Sequence, residues 1–166
     1  MSVRTKLRTP TVRFDEVPGW LPEAVIPDDV DLDSIAVSTL EKLGDLKESY
    51  LTQGAIWRDH FSLTGYLRTI NSSRSIYQAF NELTQIRRAH DFHLVPNGVT
   101  VFRLKPSSWI NIEFTFKIHG ELAGQCAGYV SVVPSEHDPG DYRIWMLRTW
   151  LENFDGLGHP DICARR

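Results

Sequence analysis

The side chains best able to move a proton sit in one short stretch, Ala55-Ile56-Trp57-Arg58-Asp59-His60-Phe61-Ser62-Leu63. At period two, Trp57, Asp59, Phe61 and Leu63 share one face, and Ile56, Arg58, His60 and Ser62 the other. A carboxylate between aromatics has its charged form desolvated, which is the environment general acid–base chemistry uses. Asp59 is therefore the first candidate catalyst. The structural alternative is an ion pair with Arg58 or Arg68, or a cap on a backbone turn. Arg68 follows a Thr64-Gly65 turn, where a guanidinium can hold a carbonyl or enolate oxygen by forked hydrogen bonds. A salt bridge to Asp59 is the competing role, and one pair can play both.

Arg148 poses a question of face. Tyr142, Ile144, Met146, Arg148 and Trp150 form one alternating set, and Arg143, Trp145, Leu147, Thr149 and Leu151 the other. If the first set faces a pocket, Arg148 is a buried cation whose counter-ion is Glu113 or Asp59. If the second does, Arg148 lies on an outer face or in a dimer contact. Glu113 shares a face with Asn111, Thr115 and Lys117, the pattern of a half-buried strand whose polar side is solvated or meets another sheet. Among the histidines, His60 and His93 are candidate proton carriers. His90-Asp91-Phe92-His93 falls at a helix-to-strand junction that fixes no common face, so no metal site is expected. Cys126 lies in the small-residue run Ala123–Gly128, which lets a strand bend and leaves room for a ligand; no base is placed to activate the thiol.

The elements that must position these groups follow from periodicity. Residues 1–30 carry Pro10, Pro18, Pro22 and Pro27 without an apolar period and read as an extended arm. Asp31–Asp33 can cap a helix in which Leu32, Ile35, Ala36, Leu40, Leu43, Leu46 and Tyr50 recur at helical spacing, stopped by Gly54. A second helix is expected from a Ser72 or Ser73 cap to about His90, with Ile76, Phe80, Leu83 and Ile86 buried and Arg74, Glu82, Arg87 and Arg88 outside. From Asp91 the period is two. Phe92–Pro96 and Val99–Leu104 make a strand pair or one bent strand, Trp109–Ile118 is the clearest strand, and Leu122–Val133 and Tyr142–Leu151 follow. Residues 153–166 form an irregular tail. Helices early and strands late define an α+β layer built on residues 31–152.

The chain has 166 residues, a formal net charge of -3 and 42% hydrophobic residues, so it reads as one globular domain and not a nucleic-acid binder. Two cysteines make no disulfide scaffold, no apolar run approaches membrane-spanning length and no signal-peptide core follows the basic N-terminus, so a soluble cytoplasmic protein is expected.

This order, with a Trp-containing strand between the helices, resembles the NTF2-like or SnoaL-like family. In that family a strongly curved sheet wraps round helices to make a cone with a pocket inside. The stretches Gly54–Ile70, Trp109–Ile118 and Ile144–Asp161 resemble the N-terminal domain of fungal flavin-containing monooxygenase-like proteins. No GxGxxG occurs, so the resemblance brings no flavin or NADPH chemistry; a free-standing pocket domain without cofactor is expected. What the resemblance implies is a cofactor-independent isomerase, cyclase, dehydratase or epoxide hydrolase acting on a hydrophobic secondary-metabolite intermediate. Asp59 would move the proton with His60 beside it, and Arg68 or Arg148 would hold the oxygen. Trp57, Phe61, Phe114, Tyr129, Trp145 and His93 would line the substrate's cavity. A homodimer through the sheet is the expected partner. The alternative, from another class, is a non-catalytic ligand-binding or dimerisation module that assists a separate flavoprotein.

Overall fold

In a computed structural model the described residues are 20–120, 123–136, 138 and 140–157. Six strands form one mixed sheet in the order β2-β1-β6-β5-β4-β3, with two α-helices packed on its inner face. The elements are α1 (Leu32–Gly44), β1 (Leu51–His60), β2 (Leu67–Asn71), α2 (Ser73–Ile86), β3 (His90–Leu104), β4 (Ser107–Ile118), β5 (Gly124–Pro134) and β6 (Tyr142–Phe154). Neighbouring strands are antiparallel except β1, which runs parallel to β6.

α1 begins where expected. The Asp31 carboxylate accepts from the Ser34 N–H at 3.0 Å, and Ala36, Thr39, Leu40 and Leu43 form its buried stripe. It ends sooner than the apolar period implies, because the chain turns at Asp45. Leu46 is buried from that turn, a 3-10 turn spans Glu48–Tyr50, and Gly54 lies inside β1 instead of stopping a helix. α2 starts at the Ser72 cap and ends at Ile86, four residues short of the sequence expectation. Arg88 there adopts φ 48° and closes the helix. β3 is one long bent strand whose pairing with β4 is interrupted between Leu94 and Val99, at the Pro96-Asn97-Gly98 turn residues.

β4 alternates as read, with Ile110, Ile112, Phe114, Phe116 and Ile118 buried. β6 does not. Val132 pairs with Ile144 and Ser131 with Met146, so Trp145 is an extra residue that resets the alternation. Tyr142 and Ile144 therefore face inward with Leu147 and Thr149, while Met146, Arg148 and Trp150 lie on the outer face. Neither of the two strict sets expected for this strand is correct.

The inner face is filled. Trp57 meets Phe80 edge-on at 5.3 Å, and Phe92 stacks on Phe116 at 5.1 Å. The Phe114 ring lies over Gly128, where an added Cβ would fall 2.5 Å from Phe114 Cζ and 2.6 Å from the Arg148 carbonyl oxygen. The room that small residues open in β5 is thus taken by an aromatic ring. Among the described residues, no helix is long and apolar enough to cross a membrane.

Candidate functional site

Asp59 faces inward at the end of β1 and is 1% exposed. Five donors converge on it. Oδ1 accepts from the Ser62 hydroxyl, from the Leu63 N–H at 3.3 Å and from Thr149 Oγ1 at 2.6 Å; Oδ2 accepts from the Thr64 N–H and Thr64 Oγ1, both at 2.7 Å. Thr149 in turn accepts from Trp57 Nε1 at 2.9 Å. A carboxylate offers about four lone-pair directions, so this one has none left for a ligand. The local sequence explains the arrangement. Asp59 is the penultimate residue of β1, the chain turns back after it with Phe61 at φ 67°, and the Leu63 and Thr64 N–H groups and the Ser62 and Thr64 hydroxyls then point at the carboxylate. Of the readings open at Asp59, this is the backbone-turn cap, extended across the sheet to β6.

The other residues singled out from the sequence are not brought together around Asp59. Arg68 is exposed on edge strand β2, its guanidinium 5.8 Å from the Tyr66 ring centre, and no ion pair joins it to Asp59. His60 and Arg148 face outward, the latter opposite Tyr129 and 5.6 Å from its ring centre. Phe61 is 56% exposed beyond the end of the strand, so it does not share the inner face with Trp57. His93 is exposed on β3. Trp145 stands edge-on to Trp109 and donates to the Trp20 carbonyl at 3.0 Å. Trp57 and Phe114 do face the interior, as core. Burial pushes the Cys126 thiol up to about 12, and the Asp59 charge adds to this, so it stays protonated and inert. Among the described residues no three metal-ligating side chains cluster.

Two clefts open away from Asp59, at the two ends of α1. One cleft of about 420 Å³ runs between Leu32 and Asp33 of α1 and Leu94–Val99 of β3, and is walled mainly by apolar side chains and backbone. The other, of about 510 Å³, opens between the end of α1, one face of α2 and the start of β3. Leu43, Ala89 and Phe92 supply apolar surface, while Tyr77, Asn81, Thr84, Gln85 and Arg88 form a polar stripe with Asp45 across from it. Tyr77, Asn81, Thr84 and Gln85 lie on one face of α2, and Arg88 follows just past its end. That regularity stands in the sequence, but its residues are polar, and apolar periodicity does not mark it. A cleft of this size, with an apolar patch of Leu43, Ala89 and Phe92 beside convergent polar groups, has room for a small molecule.

No family model matches the chain, and no curated protein matches it. Solved structures do. Aln2 from a Streptomyces species is 12% identical, with a TM-score of 0.53 over 77% of this chain and 95% of that one. Nuclear transport factor 2 from Cryptosporidium parvum is also 12% identical, with a TM-score of 0.51 over 76% and 99%. A protein of Catenulispora acidiphila solved in complex with S-DNPA is 10% identical, with a TM-score of 0.51 over 73% and 90%. The chain has the NTF2-like fold.

Proposed function

We propose that the chain is a cofactor-independent acid–base enzyme of the isomerase, cyclase, dehydratase or epoxide-hydrolase type, acting on a hydrophobic secondary-metabolite intermediate. The single observation supporting this is the partly apolar cleft beside α2, on a fold in which a neighbour has been solved in complex with S-DNPA. In this reading the Tyr77 hydroxyl and the Asp45 carboxylate move the proton, being the titratable proton carriers of that cleft. The apolar walls fold the substrate toward its reacting shape, which accelerates the step only if they fit the transition state better than the free substrate. Asp59 acts as an internal tie. The likeness of three segments to the N-terminal domain of fungal flavin-containing monooxygenase-like proteins belongs to the same reading. It describes a relative of that domain whose own residues need no flavin, and the expected outcome is that the purified 166-residue chain shows no flavin absorbance.

The test is metabolite profiling of the native host with the gene removed, then restored as wild type, Tyr77→Phe or Asp45→Asn. Removal should accumulate an intermediate that the wild type clears and both variants leave in place. Full clearance by both variants would refute the assignment of the cleft.

A second reading, a dimerising module, is favoured by the outer sheet face. Glu113, Tyr129 and Arg148 stand side by side on three strands, Trp150 tilts against Tyr129 at 5.3 Å, and Arg58 pairs in register with Arg148. Glu113 lies on β4 and Arg58 and Arg148 on β1 and β6, so a second copy turned by a two-fold axis can set Glu113 against an arginine. A homodimer through the sheet is compatible with either function.

A further inference from the structure

We infer that the cleft beside α2 takes ligands carrying a carboxylate on an apolar body, and that Arg88 is the group that selects them. This rests on the reading of that cleft as the small-molecule site. Two independent features of Arg88 carry the inference.

The first is how the residue is held. α2 ends with the Ala89 N–H donating to the Thr84 carbonyl at 2.8 Å and the Arg88 N–H donating to the Gln85 carbonyl at 3.1 Å. These two bonds are a Schellman closure, whose left-handed position is usually glycine because a Cβ is penalised there. Arg88 occupies it at φ 48°. A residue kept where glycine would be more stable is a local cost, and such outliers concentrate at working sites. The closure also stiffens the wall of the cleft, since the next carbonyl back, that of Arg87, accepts from the His119 N–H at 2.7 Å. The backbone that carries Arg88 is thus fixed at the rim of the cleft before any ligand arrives.

The second is what the residue lacks. Among the described residues no carboxylate lies within ion-pair distance of Arg88. Asp45, on the opposite rim, is 3.6 Å from Lys47 and so already has a cation. Gln85, in the last turn of α2 and also lining the cleft, makes no side-chain hydrogen bond among the described residues either, whereas Asn81 and Thr84 donate to the Leu46 and Phe80 carbonyls. Arg88 and Gln85 are therefore two unspent donors on one rim, facing the apolar surface of Leu43 and Phe92. A fork of N–H groups from a guanidinium, supplemented by an amide, matches a carboxylate. The apolar surface matches a hydrocarbon or ring behind it.

Titration of the protein with decanoate and with decanol, followed by amide chemical shifts in NMR, tests this. Decanoate should bind about 10-fold or more tightly than decanol, with shifts centred on Arg88, Gln85 and Phe92. Arg88→Met should bring decanoate down to the affinity of decanol and leave decanol unchanged. Arg88→Gly should do the same while raising the melting temperature by a few degrees, since glycine suits the left-handed position. Equal binding of both probes to the wild type would overturn the carboxylate inference and leave the cleft standing as the site. Shifts confined to another part of the molecule, or no binding of either probe, would overturn both. A fall in melting temperature for Arg88→Gly would make Arg88 a structural residue and also overturn the inference.

Discussion

Replacing Asp59 by Asn exchanges a carboxylate oxygen for an amide nitrogen in a niche where every neighbour already donates. Whichever way the amide is turned, it confronts either the Thr64 pair or the Ser62–Leu63–Thr149 group with a donor. Breaking one partner of a buried polar network costs about 3 kcal/mol, and urea unfolding of Asp59→Asn should show a loss of that order. Thr149→Val, which deletes one bond to Asp59 and one from Trp57, should cost about 1–2 kcal/mol. Cys126 gives a second measurement at this scale. Burial raises its folded pKa from an ordinary value of 9.0 to about 12. Below pH 9 the thiol is protonated in both states and contributes no pH dependence. Between those two values the unfolded chain releases the proton and the folded one keeps it. Stability should therefore fall as pH rises, by up to about 1.4 kcal/mol per pH unit from this group. Equilibrium unfolding of wild type and Cys126→Ala over that window isolates the contribution, which is absent from the variant.

The elements show why sequence reading succeeded at some places and failed at others. β4 was legible because each of its side chains alternates between core and outer face without interruption. The start of α2 was legible because a serine precedes a regular apolar stripe. Three features were not. The bulge at Trp145 inserts one residue that looks like any other member of an alternating strand, and only pairing with β5 reveals it. The end of α1 is hidden because Leu46 and Tyr50 continue the helical period while serving a turn. The filled interior depends on Phe114 lying across Gly128, a contact between strands that no local pattern encodes. Gly128→Ala should cost about 2–3 kcal/mol, as overpacking against backbone and ring does. Pairing it with Phe114→Leu should recover part of the loss, because the Cβ then meets a smaller neighbour, although the Arg148 carbonyl still crowds it. Thermal unfolding of the two variants and their parent measures this.

At the scale of the whole molecule the fold was legible, while the cavity expected inside the cone is filled by side chains among the described residues. The sequence puts a carboxylate among aromatics, and burial alone does not say whether space for a ligand accompanies it. Here the aromatics close on one another, and the open volume is displaced to the ends of α1. The outer face stays available for a second copy. Light scattering of the purified protein should give twice the chain mass, and Arg148→Glu, which sets like charges across the two-fold axis, should shift it toward the monomer. A monomeric wild type would remove the dimer from the account. The division between a structural Asp59 and a working cleft is tested most directly by incubating the intermediate accumulated in the gene-deleted host with purified Asp59→Asn protein, at a temperature where urea unfolding shows it to be folded. Conversion per folded molecule close to that of the wild type, alongside lowered stability, is the expected result. Undiminished stability with conversion abolished would contradict the account and return the proton transfer to Asp59.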